Sequence, residues 1–424
     1  MKKKSWVKAL LAVFTVSLAA GLTACGNSSS STKSSGPVKI TFWHGMNGPY
    51  AKALNSIISD YNKSQSKYKV VGTAQGDYTA LQQKIMAGAK SHKLPTISQT
   101  TYTTVPDYVK NGFIEPFDNY IKKSDLSDIY PAFLSSSKYQ GKYYSMPFSK
   151  SVRIMYYNPT LLKKYNMSVP TSWEEVQKDA AQVKADGIYG ISFDKSFDME
   201  LEGLAKQNGN KLVSTDLTPN LNSKKTLEAT HFIWDMVQNK EAKTAGEDVY
   251  GDRTFTSSKA LFYVGSSAGI SSMKQYAPKG FTWETMALPT YKGNKATELA
   301  GNDIVMFKDA SASEKKGGAD FIKFLLSKKE TIKWSEKTGY VPLTKSAVKD
   351  SGYQAFLDKN PADKAAVNSL DFGFQSTAFI GFSEYRTDLL SAVDAMLTKN
   401  ETPEKAMGNL QTQTKKIIKD NNNK

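Results

Sequence analysis

The sequence predicts an α/β fold made of two successive α/β regions. Three observations point there. Short alternating runs of β-branched and aromatic residues alternate with runs at helical spacing. The alternation stops and restarts near residue 150. At 424 residues, 40% of them hydrophobic, the chain is long enough for two cores.

Val38-Lys39-Ile40-Thr41-Phe42-Trp43 alternates and predicts a strand. Asn47-Gly48-Pro49 opens a helix, with Asn47 capping and Pro49 in the first turn. Tyr50, Leu54, Ile57, Ile58 and Tyr61 follow on its apolar face. Tyr68 to Val71 predicts a second strand, and Asp77 caps a helix that buries Leu81, Ile85 and Ala89. Thr96-Ile97-Ser98 predicts a third strand. Strand, helix, strand, helix, strand is the signature of a parallel layer. The second region begins near the alternating Val152–Asn158, and "PTSWEEV" (170–176) starts a helix capped by Thr171 or Ser172. From about residue 345 the pattern is mainly helical, ending in the polar "KDNNNK".

The N-terminus predicts the compartment. Met1-Lys2-Lys3-Lys4 precedes an apolar run from Ala9 to Leu22, of signal-peptide length and too short for a stable span. Leu22-Thr23-Ala24-Cys25 resembles a bacterial lipobox, in which the cysteine is lipidated and the peptide is cut just before it. Cys25 is the only cysteine in the sequence, so no disulfide competes for it. Residues 26–37, "GNSSSSTKSSGP", predict a flexible tether. The mature protein is therefore expected on the outer face of the cell membrane, held by its lipid.

The net charge of +16 fits nucleic acid, an anionic envelope or an anionic ligand. Nucleic acid is disfavoured, because the sequence holds only three arginines, Arg153, Arg253 and Arg386, and no dense basic block. The three histidines, His44, His92 and His231, are isolated, and there is no HExxH, CxxC, Walker A or GxGxxG pattern. No cofactor or metal is expected.

Gly265-Ser266-Ser267-Ala268-Gly269 fits G-x-S-x-G between an apolar run and a helical one, the setting of a hydrolase nucleophile at Ser267. No histidine follows Ser267, which removes the Ser…Asp…His order of that fold. Two other readings stay open: a helix start that holds an anion by its free N–H groups, and an ordinary serine cap. Arg386 offers a guanidinium fork suited to phosphate, or a surface salt bridge. A lysine-rich adhesin gripping anionic polymers is a third class; its binding would fall steeply with salt.

Several phrases together, "ITFWHGMNG" (40–48), "GKYYSMPFSKS" (141–151), "YYNPTLLKKYNMSVPTSWEEV" (156–176), "ALPTYKG" (287–293) and "EKTGYVPLTKSA" (336–347), resemble the extracellular solute-binding proteins of bacterial ABC importers. The resemblance covers the mature chain and is greatest to sn-glycerol-3-phosphate-binding proteins, through "FWHGMNG", "QGDYTALQQKI", "PFSKS", "TGYVPLTKSA" and "EYRTDLL". It implies two α/β lobes, each discontinuous, with a mainly parallel sheet flanked by helices and the ligand cleft between them. The expected lobes are 38–148 plus 294–344 and 149–293 plus 345–424. The resemblance implies a monomer that binds a small molecule, docks on permease transmembrane subunits and has no catalysis of its own.

The same resemblance implies a ligand set: Tyr78, Ser151, Ser266 (with Ser267 as fallback), Gly301, Tyr340 and Arg386. In it Gly301 brings backbone close to the ligand, while Tyr340 and Arg386 hold phosphate. Two departures alter the glycerol half. The family's glutamate falls on Tyr102, and the family's tryptophans fall in "SFDKSFDMELEG" (192–203), where Phe193 and Phe197 are the apolar candidates and Asp194 and Asp198 the polar ones. The implied ligand is an organophosphate of the glycerol-3-phosphate type, with a sugar, an oligosaccharide or a glycerophosphodiester as alternative.

Overall fold

The computed structural model describes residues 36–422 apart from Ser196 and Val249. The expected signal peptide, the expected lipidation at Cys25 and almost all of the expected tether lie outside the described residues.

Three parallel strands open the fold: Tyr68–Ala74, Val38–His44 and Ile97–Thr100, side by side in that order. Helices Gly48–Ser64 and Tyr78–Ser91 make the connections. The predicted Asp77 cap forms, its side chain accepting the Ala80 N–H. Asn47 holds the N-cap position without a side-chain bond, and Pro49 alone marks that start. Leu54, Ile57, Ile58 and Tyr61 are core residues, as their spacing requires. Tyr50 is not: its hydroxyl leaves the core and donates to the Ala268 carbonyl at 2.8 Å.

The restart near residue 150 is not a boundary between separate sheets. A single thirteen-residue strand, Ser145–Tyr157, runs through it, buried along nearly its whole length. Its first half pairs antiparallel with Thr297–Phe307, which pairs in turn with Ile97–Thr100. Its second half pairs antiparallel with Ala260–Ser266. Beyond that strand lie Tyr189–Phe193 and Ala242–Thr244, all three parallel. Two mainly parallel α/β halves therefore share one sheet, joined through two crossing strands. Helix Trp173–Val183 flanks the second half; Ser172 is its cap, in a reciprocal box with Glu175. The C-terminal helices Phe382–Thr398 and Pro403–Asn422 send Leu389, Val393, Met407 and Leu410 into the core of that half.

The crossing strands carry the constraint that sets the geometry. Opposite Asn302 stands Ser149, but opposite Asp303 stands Pro147, so Phe148 is an extra residue that bulges the pairing. Gly301 sits beside this irregularity at φ +109°, and a Cβ there would lie 1.9 Å from the Ser149 carbonyl oxygen. Only glycine fits. Lys150 Nζ donates to Asp303 Oδ1, both side chains being wholly buried. Ser137 and Ser145 hydroxyls donate to Asp303 Oδ2, and the Lys150 ammonium lies 5.3 Å from the Tyr102 ring centroid.

Breaking a buried ion pair from one side strands the other charge. Lys150→Met is expected to lower the unfolding free energy by about 3–5 kcal/mol. The double variant Lys150→Met/Asp303→Leu is expected to lose less than the single. Urea denaturation measures both, and a double variant less stable than Lys150→Met would refute the assignment.

Candidate functional site

Where the strands cross, residues from distant segments converge. Tyr78 begins the helix that Asp77 caps and is 37% exposed. Its hydroxyl accepts from Asn302 Nδ2 at 2.7 Å. Tyr340 is buried, stacked on Trp334 at 5.8 Å and edge-on to Tyr50 at 6.0 Å. Burial raises the phenols of both Tyr78 and Tyr340, so both are protonated hydroxyls at neutral pH. Ser151 is buried on the crossing strand opposite Ala300. Next to Gly301, Ser149 Oγ is buried without a hydrogen-bond partner.

The GSSAG turn meets this cluster from the second half. Ser266 Oγ accepts the Ala268 N–H at 3.2 Å, closing a turn ahead of the helix Gly269–Tyr276, whose N-cap position, Ala268, carries no side-chain cap. Ser267 is wholly buried: its N–H donates to the Val152 carbonyl and its Oγ accepts the Val152 N–H. This ties the turn to the crossing strand and leaves Ser267 unavailable as a nucleophile. Gly339 lies so close that a Cβ there would stand 2.5 Å from the Ser267 carbonyl. Gly301 makes its close approach to Ser149, not to an open cleft, so the crossing itself accounts for this glycine.

Arg386 lies elsewhere. Its Nε and Nη2 both donate to Asp198 Oδ2, at 3.1 and 3.0 Å, and its side chain stays 45% exposed. No hydrogen bond or ion pair links it to Tyr78, Tyr340 or Ser266 among the described residues. It stands instead at a carboxylate cluster. Ser376 Oγ is 2.7 Å from Glu202 Oε2 and 3.2 Å from Glu298 Oε1. A hydroxyl has one hydrogen to give, so one of the two carboxyls must itself be protonated. Burial, followed by mutual repulsion, pushes Glu298 well above the usual range; burial raises Glu202 to about 7. Tyr102 closes the cluster, its hydroxyl accepting the Ser376 N–H at 3.1 Å.

Phe193 and Phe197 do not wall a pocket. Both are wholly buried in the core of the second half, 6.4 Å apart. The polar neighbours carry the site instead: Asp194 accepts from Arg153 Nη2 and from the Tyr263 hydroxyl, and Asp198 holds Arg386. Arg153 is fully embedded, with Nε donating to Glu200 Oε1 at 2.7 Å. Asn302, Gln99, Glu202, Glu298 and Ser376 escaped sequence reasoning. "LAGND" contained Asn302 beside the glycine that drew notice, and a polar residue amid a strand was the available signal. Among the described residues no group of three or more His, Cys, Asp or Glu is arranged to hold a metal. A hollow of about 640 Å³ lined by Lys224, Glu228, His231 and Asp235 shares no residue with the crossing.

The shared proton has a stability consequence. A carboxyl raised by folding stabilises the native state fully below its unfolded value, and that contribution is lost as pH rises through the folded value. The melting temperature of the wild type is therefore expected to fall as pH rises from about 5 to about 8. Glu298→Gln should fall less steeply and be the more stable at the upper end. Parallel melting curves against pH would exclude the shared proton.

The model for the family of bacterial extracellular solute-binding proteins matches residues 56–365. The sn-glycerol-3-phosphate-binding periplasmic protein UgpB of Brucella melitensis is 27% identical over 349 residues, covering 78% of this chain and 80% of that one. The structure of UgpB from Mycobacterium tuberculosis in complex with glycerophosphocholine superposes with a TM-score of 0.81 at 19% identity, over 91% of this chain and 99% of that one. The cyclic alpha-maltosyl-1,6-maltose binding protein of Arthrobacter globiformis gives 0.80 at 21%, over 91% and 100%.

Proposed function

Since the chain belongs to the bacterial extracellular solute-binding proteins, we propose that it is the substrate-binding lipoprotein of an ABC importer, holding a glycerol-3-phosphate-type organophosphate between two lobes. The lobes are 38–148 plus 294–344 and 149–293 plus 345–424, hinged at the crossing strands. The observation that carries the ligand class is the cluster of Tyr78, Asn302 and Tyr340, polar side chains meeting where the two halves join. Protonated phenols donate to oxyanions, and a partly enclosed phosphate needs all its acceptors filled. Ser151 and Ser266 stand on the strands that border this cluster. Arg386, half exposed and paired with Asp198 apart from this cluster, reaches a phosphate at the phenols only if closure of the lobes frees its fork from Asp198.

The carboxylates beside Arg386 favour a ligand with more than a phosphate. Asp198, Glu202 and Glu298 repel a second anion but accept hydrogen bonds from hydroxyls, and they attract a cation. A glycerophosphodiester meets both demands in one molecule. A neutral oligosaccharide meets only the carboxylate half.

Calorimetric titration with glycerol-3-phosphate, glycerophosphocholine and maltodextrins tests the assignment. Binding of the phosphate ligands is expected, with about a tenfold loss in Tyr340→Phe and about a hundredfold loss in Arg386→Ala, in line with about 1.5–3 kcal/mol for a hydrogen bond to a charged group. Affinity for maltodextrin alone, or an unchanged affinity in Arg386→Ala, would refute the phosphate assignment.

Anchoring is proposed through lipid on Cys25, with the body on the extracellular face and permease subunits as partners. No helix among the described residues is long and apolar enough to cross a membrane. Cys25→Ala, expressed in a bacterium with the lipoprotein pathway, is expected to move the protein from the membrane fraction to the medium. Retention on the membrane would overturn this anchor.

A further inference from the structure

A relay of buried amides ends at Tyr78, and its direction is fixed at its start. The Gly45 backbone N–H can only donate, and it donates to Gln99 Oε1 at 2.8 Å. Gln99 must therefore turn its Nε2 the other way, where it donates to Asn302 Oδ1 at 3.0 Å. With Oδ1 engaged, Asn302 offers Nδ2 to the Tyr78 hydroxyl at 2.7 Å. Gln99 and Asn302 are both wholly buried, so water is not at hand to reverse either amide.

The consequence falls on Tyr78. Its hydroxyl receives a hydrogen from Asn302 and so keeps its own to give. Tyr78 is 37% exposed, whereas Tyr340 is buried.

We propose that Gln99, acting through Asn302, is a specificity-determining positioning residue that makes the Tyr78 hydroxyl a hydrogen-bond donor, so that this end of the cleft selects an oxygen acceptor of the ligand and rejects a donor-only group such as an ammonium. This rests on the organophosphate reading and deepens it: the phosphate oxygens belong at the phenols, and any cationic or hydroxyl-bearing part belongs at the carboxylates.

Gln99→Glu tests the relay. At pH 8 the introduced carboxylate still accepts from Gly45 but has nothing to donate to Asn302. Asn302 is then expected to turn over, donate to that carboxylate and present Oδ1 to Tyr78, which draws the outward hydrogen inward. Affinity for glycerol-3-phosphate is expected to fall at least tenfold relative to wild type at pH 8. At pH 5, where the introduced carboxyl is protonated and mimics glutamine, the loss should shrink to less than threefold. A loss that is equal at both pH values would mean a merely structural role and overturn the proposal.

A second measurement needs no ligand. With ring-labelled tyrosine followed by ¹³C NMR, Tyr78, assigned by loss of its signal in Tyr78→Phe, should titrate at least one pH unit higher in Gln99→Glu than in wild type. An unshifted Tyr78 overturns the relay whatever the ligand proves to be. If wild type binds no glycerol-3-phosphate but Tyr78 shifts as expected, the organophosphate reading fails and the relay stands.

Discussion

The pairing of two crossing strands is the constraint on which the rest of the molecule depends. Ser145–Tyr157 pairs with Thr297–Phe307 on one side and with Ala260–Ser266 of the second half on the other, so the halves cannot separate without bending it. The bulge at Phe148 and the positive φ of Gly301 put a weak point into an otherwise continuous ladder. Such points absorb rotation at little cost, because few ladder bonds are lost. The Lys150–Asp303 pair sits beside the bulge with two hydroxyls completing its hydrogen bonds. It fixes the register of the crossing beside the bulge. Asn302 and Asp303, consecutive on the same strand, therefore serve different ends: one faces the phenols, the other the buried lysine.

The turn at GSSAG depends on the same crossing. Ser267 is fixed to Val152, and Tyr50 and Gly339 close on the turn from the first half. The turn is therefore registered to the crossing strand and packed from both halves. This explains how a G-x-S-x-G pattern arises without catalysis. The glycines permit close packing, and the central serine caps backbone rather than attacking substrate. Hinged closure needs such contacts to be few and polar, so that opening is not costly.

Most of the fold was legible in the sequence because it rests on local rules. Alternation gave the strands, Asp77 and Ser172 marked helix starts, and spacing gave Leu54, Ile57, Ile58 and Tyr61 as core. The restart at 150 does mark the second half, whose pairing begins at Arg153, but not a break in the sheet, because one strand runs through both halves. Tyr50 fitted the apolar stripe by spacing, yet its hydroxyl turned it to the cleft. Of the site, family resemblance brought Tyr78 and Tyr340 into one set, and the structure shows Tyr78 bonded to Asn302, a residue that set did not include. It gave no warning that Phe193 and Phe197 are core or that Arg386 is engaged by Asp198. Glu202, Glu298 and Ser376 come from segments about 75 to 175 residues apart, as their contacts record, and no spacing rule brings them together.

Charge is distributed by depth, and this bears on how an anion is both attracted and sorted. The net +16 comes from lysines spread along the chain, whereas Asp198, Glu200, Glu202 and Glu298 lie close together at the interior. A basic exterior raises the local concentration of anions and the rate at which they arrive, and salt weakens that effect. The interior acts differently, because at low dielectric each unpaired carboxylate makes a second negative charge costly. One shared proton and two arginines reduce that cost without removing it. Attraction at the surface is therefore common to all anions, while the carboxylates within discriminate among them by total charge.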